Sequence, residues 1–101
     1  MEVKINKQGN ETTVKLIGRL DTPASQEVSK ELEPVAADAA GTIILDCKEL
    51  DYMSSSGLRI FLMLRKASGA QGGTVVVRSI NQDIRNVFMM TGFLNMFTIE
   101  D

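Results

Sequence analysis

Hydrophobic and polar residues change period several times along this chain, and each change predicts an element. Val3 and Ile5 alternate with Glu2 and Lys4, the period-two pattern of a half-buried strand. Gly9-Asn10 marks a turn, and Val14 and Leu16 then share one face of residues 12–17, so the first two strands should form a hairpin. Gly18-Arg19-Leu20-Asp21 leads out of it. Thr22-Pro23 reads as a helix start, a capping hydroxyl followed by proline at the first helical position. Ala24, Val28, Leu32 and Val35 or Ala36 recur at helical spacing. Pro34 should kink that helix or end it near Glu33, because proline lacks the N–H and crowds the preceding turn.

Ile43, Ile44 and Leu45 form a short apolar run with Asp46 at its end, the expected central strand. A polar loop follows, and then Ser54, Ser55, Ser56 and Gly57 stand where a helix must begin, over about residues 55–67. Leu58, Ile60, Phe61, Leu62, Met63 and Leu64 are too many apolar residues for one stripe. Such a helix is buried on more than one side or keeps a surface for a partner. Leu58, Phe61 and Leu62 read as core, while Ile60 and Met63 fit either role. Gly69 and Gly72-Gly73 punctuate its end, and residues 74–77 are a β-branched strand. Asn81 can cap a third helix with Ile84, Val87 and Phe88 facing inward and Gly92 at its end. Leu94, Phe97 and Ile99 then pack the tail as a short last strand. This order predicts an α/β fold, one domain over residues 1–101. Its sheet is mixed, with four to five strands and the helices mainly on one side.

Composition narrows the function. At 101 residues the chain suits one core, with 44% hydrophobic and 24% charged residues. Its net charge of −2 is spread along the chain, with no basic stripe for nucleic acid. No apolar run is long enough to cross a membrane, so no direct membrane insertion is expected, and the charged start does not resemble a signal peptide. The single Cys47 cannot form an internal disulfide, which favours a reducing, cytoplasmic setting and a small core residue there. Histidine is absent, which removes the commonest general base and the commonest neutral metal ligand. No catalytic residue, metal site or cofactor is therefore expected.

The chemistry concentrates at the serine cluster. A helix start offers unpaired N–H groups and the positive end of the helix dipole. A hydroxyl there can cap the helix, meet a phosphate or become phosphorylated. The residues alone leave these alternatives open. An anion site for a nucleotide is one of them, but the lysine of a P-loop is missing. Asp21 can cap the following helix or face a partner, and Asp46 can bond loop N–H groups. Gly57 allows a close approach of backbone or partner. Met53 can serve core or contact surface, and Met89, Met90 and Met96 read as packing.

The run Leu45-Asp46 … Leu50-Asp51-Tyr52-Met53-Ser54-Ser55-Ser56-Gly57-Leu58 resembles the STAS domain family, and specifically the bacterial anti-sigma factor antagonists. The Gly18-Arg19-Leu20-Asp21 turn and the Gly92-Phe93-Leu94 tail extend the resemblance over the whole chain. The resemblance implies a non-enzymatic switch. Its partners are an anti-sigma factor that is also a serine kinase, and a serine phosphatase that restores the unmodified form. Binding to the first releases a sigma factor. Aligned on Gly57, the family's phosphorylated serine falls on Ser55, with Ser54 and Ser56 as neighbouring candidates. Partner contacts are implied at Asp21, Met53, Ser54, Ser55, Ser56 and Gly57. Ser54 stands where the family motif commonly has aspartate. The alternative within the family is an unphosphorylated scaffold subunit of a lipid-transport ATPase or a stress-signalling complex.

Overall fold

The computed structural model describes residues 1–101. The elements run β1 (Glu2–Gln8), β2 (Glu11–Leu20), α1 (Thr22–Glu31), α2 (Glu33–Ala37), β3 (Thr42–Met53), α3 (Ser55–Ala70), β4 (Thr74–Arg78), α4 (Gln82–Thr91) and β5 (Thr98–Glu100). A single 3-10 turn, Leu94–Met96, precedes the last strand. The five strands lie in the sheet in chain order. β1 pairs antiparallel with β2, as the hairpin pattern predicts, and each later pairing is parallel. The sheet is therefore mixed, and helices supply the crossovers that parallel strands require.

One face of the sheet carries the core. Val14, Leu16 and Leu20 of β2 and Val75 and Val77 of β4 join Ile43, Leu45, Cys47, Leu50 and Met53 of β3. Val28, Leu32, Leu58, Phe61, Leu64, Ile84 and Phe88 of the helical layer close over them. Phe61, Phe88 and Phe97 form an aromatic cluster with ring centroids 5.7–6.4 Å apart. The two edge-to-face contacts that Phe61 makes with Phe88 and Phe97 add to simple burial. The other face carries Ile44 and Val76, paired and buried at its centre, and ion pairs Lys15–Glu49 (2.8 Å) and Arg78–Glu100 (3.1 Å) flank them.

The largest departure from the sequence pattern is β3. It does not end at Asp46 but runs on through Met53 as a bulged strand, where the sequence pattern predicts a polar loop. Between Lys15↔Asp46 and Ile17↔Glu49 the partner strand β3 carries one extra residue, and another lies between Gly18↔Leu50 and Arg19↔Tyr52. Each bulge lengthens the inward repeat from two residues to three, so Cys47, Leu50 and Met53 all face the core. Asp46 thus lies within the strand, well short of the serines, and its carboxylate accepts from the Lys48 N–H at 3.1 Å.

Helix ends follow local chemistry with two corrections. The N-cap of α1 is Asp21 and not Thr22: its carboxylate accepts from the Ala24 N–H at 2.9 Å, and Thr22 is already helical. The carboxylate reaches the third helical N–H, the usual geometry of a cap. The helix stops at Glu31 and restarts at Glu33, so the break sits two residues before Pro34. α3 runs past its expected end to Ala70, through Gly69. Ser68 and Gln71 hold that end by hydrogen bonds to Ala39 O and Ala39 N. Asn81 caps α4 through the Ile84 N–H at 2.8 Å, and Gly92 ends it in the left-handed region at φ 76°.

Candidate functional site

The serine cluster sits where the C-terminal ends of β2 and β3 meet the first turn of α3. Leu20 and Met53 are the last paired residues of the two strands. Ser54 is pinned between them and the helix. Its N–H and its hydroxyl both donate to the Leu20 carbonyl, at 2.9 and 3.1 Å. Its Oγ accepts from the Gly57 N–H at 3.2 Å, and its carbonyl accepts from Leu58 N–H at 3.0 Å. Ser54 is thus the N-cap of α3 and a tether to β2 at once.

Its neighbours differ. Ser55 is the first residue of the helix, exposed, and its hydroxyl makes no hydrogen bond to the protein. Ser56 is half-buried and turns toward α1, where it enters an open groove of about 670 Å³ with Thr22, Lys30, Arg59, Ile60 and Met63. Gly57 is buried, and a Cβ on it would stand 2.7 Å from Leu20 Cγ and 3.1 Å from the Leu20 carbonyl. The close approach that requires glycine is therefore that of the chain's own β2.

Asp21, Ser54, Ser55, Ser56 and Gly57 are brought together by the Leu20 junction, because Asp21 follows Leu20 directly. Met53 is not part of the exposed surface. It is 4% exposed and belongs to the core beneath the serines, because the second β3 bulge turns it inward. Ile60, at 5% exposed, is core as well, whereas Met63 is half-buried along the groove. Met89 and Met90 are 57% and 86% exposed at the end of α4, so they do not pack as expected. They lie beyond the inward stripe of Ile84 and Phe88.

Two features were not legible as site features in the sequence. The Arg19 guanidinium lies 4.5 Å from the centre of the Tyr52 ring, a cation–π pair between the ends of β2 and β3. Lys30 and Arg59 line the groove from α1 and α3. The only advance signal was the four-residue spacing of Ser55 and Arg59. Burial pushes the Cys47 thiol up to about 12, with Asp46 adding to the effect, which leaves it an inert core residue. No group of three or more His, Cys, Asp or Glu side chains is gathered to hold a metal. No helix is long and apolar enough to cross a membrane.

Residues 2–101 match the STAS domain family. The chain belongs to the STAS domain family. BtrV of Bordetella bronchiseptica, provisionally assigned as an anti-sigma factor antagonist, is 30% identical over 84 residues, covering 83% of this chain and 72% of the relative. The anti-sigma-B factor antagonist of Bacillus subtilis is 25% identical over 99 residues, covering 98% of this STAS chain and 90% of its own. Among solved structures, the anti-sigma factor antagonist SpoIIAA in its unphosphorylated form superposes with a TM-score of 0.78 at 19% identity. That match covers 99% of this chain and 88% of the other. The phosphorylated form of the Bacillus cell fate determinant SpoIIAA gives a TM-score of 0.77 at 20% identity, covering 99% and 91%. At such identities the STAS fold is what the structures share.

Proposed function

We propose that this STAS domain is an anti-sigma factor antagonist acting in the cytoplasm. It binds an anti-sigma factor that is also a serine kinase and so releases a sigma factor. Phosphorylation of Ser55 ends the binding, and a serine phosphatase reverses it. Relatives named as anti-sigma factor antagonists support the class of function. The observation that carries the choice of residue is the contrast among the three serines. Ser55 alone is exposed with a free hydroxyl, while Ser54 is committed twice over and Ser56 is half-buried.

The physical logic is that of a charge switch. A phosphate adds nearly two negative charges at neutral pH. At the first residue of α3 it meets the positive end of the helix dipole, so the fold tolerates it. A partner surface pressed onto Asp21, Ser55 and Ser56 would have to desolvate that charge, and binding is lost without unfolding. Gly57 and Ser54 act from below, by holding the helix start against Leu20.

The test is intact-mass spectrometry and peptide mapping after incubation with a cognate kinase and ATP. One added phosphate on the peptide holding residues 54–56, absent from Ser55→Ala and retained in Ser54→Thr, is expected. A phosphate that persists in Ser55→Ala moves the acceptor. None at all, with the kinase shown active on another substrate, refutes the switch and leaves the scaffold role.

A further inference from the structure

Arg59 follows Ser55 by one helical turn on the exposed side of α3. Residues spaced i, i+4 are neighbours on a helix surface, and an acidic group N-terminal to a basic one is the better orientation. The Arg59 guanidinium has no carboxylate partner, because the ion pairs of this chain use Lys4, Lys7, Lys15, Arg78 and Arg85. Arg65 donates to the Met96 carbonyl and Arg19 is spent on Tyr52, whereas Arg59 makes no such contact.

We propose that Arg59 clamps the phosphate carried by Ser55, an inference that rests on Ser55 being the acceptor. A guanidinium can present two N–H donors to one phosphate, which an ammonium cannot match in geometry. The neutral cap favours this arrangement. Ser54 caps the helix with an uncharged hydroxyl, so the phosphate meets no negative neighbour there. The groove's other charges are Lys30 and Glu33, on α1 and α2, and it is not lined by Ser55; the Asp21 carboxylate is held by the Ala24 N–H. Unmodified, Arg59 is a free cation at the rim of the groove, open to a carboxylate of the partner. Modified, it is withdrawn. Phosphorylation then alters the surface twice, by adding negative charge and by cancelling a positive one, with no backbone movement.

The test needs no kinase. Phosphoserine is installed at position 55 by genetic encoding, and the second ionisation of the phosphate is followed by phosphorus NMR. In the otherwise unaltered chain it should lie about half a pH unit below that of Arg59→Gln, with Arg59→Lys between them. Lys30→Gln should leave it in place. Equal values in the unaltered chain and Arg59→Gln overturn the clamp, as does a shift removed by Lys30→Gln and not by Arg59→Gln. Urea midpoints of the unphosphorylated variants verify that each is folded. If the kinase assay assigns another acceptor while this shift persists, the choice of Ser55 fails and the Arg59 geometry stands.

Discussion

Gly57 and Gly69 lie in the same helix, yet replacing each with alanine should move stability in opposite directions. At Gly57 the new Cβ would stand 2.7 Å from Leu20 Cγ, 2.8 Å from Leu20 Cδ2 and 3.1 Å from the Leu20 carbonyl oxygen. Carbon atoms in good contact are about 3.5–4.0 Å apart, so either the helix start or Leu20 must yield. Leu20 is fully buried and its carbonyl is held by Ser54, which leaves little room to yield. Overpacking of this kind costs about 1–3 kcal/mol, and the helix propensity gained returns at most about 1 kcal/mol. A 2.7 Å approach to a fully buried side chain lies at the upper end of that range, so the net loss should be about 1–2 kcal/mol. At Gly69 nothing lies within 4 Å of the added Cβ, so only the propensity operates, and the gain should be about 0.5–1 kcal/mol. Equilibrium urea unfolding separates the two cleanly, because both variants should keep the m-value and shift the midpoint in opposite senses. A Gly57→Ala variant as stable as the unaltered chain would refute the claim that packing against Leu20 is what requires glycine.

Ser54→Ala should lower stability by about 1–2 kcal/mol by freeing the Gly57 N–H and the Leu20 tether, whereas Ser54→Asp keeps the cap; thermal melts decide it. Cys47 should resist alkylation in the folded protein at pH 8 and react at once in urea, and fast native labelling would contradict its burial. Its thiol ordinarily ionises near 9.0 and is pushed to about 12, so the folded state favours the protonated form. That stability is complete below pH 9 and is lost as the pH rises toward 12; Cys47→Ala should flatten this part of the profile relative to the unaltered chain.

Much of the fold was legible because short-range rules decide it. The hairpin at Gly9-Asn10, the break just ahead of Pro34, the Asn81 cap and the Gly92 stop each depend on a residue and its near neighbours. So did the family, since the serine-glycine helix start lies between a buried strand and an apolar helix. The course of β3 was not legible. Its two bulges arise from pairing with a strand more than thirty residues earlier in the chain, and they convert an alternating pattern into one that reads as loop. The same pairing puts Leu20 beneath Gly57 and gives Ser54 both of its bonds. A run of three serines is uniform as a sequence. Only the meeting of β2, β3 and α3 makes the first a cap, leaves the second free and turns the third into the groove, because each hydroxyl's environment is set by where the helix axis lies against the sheet.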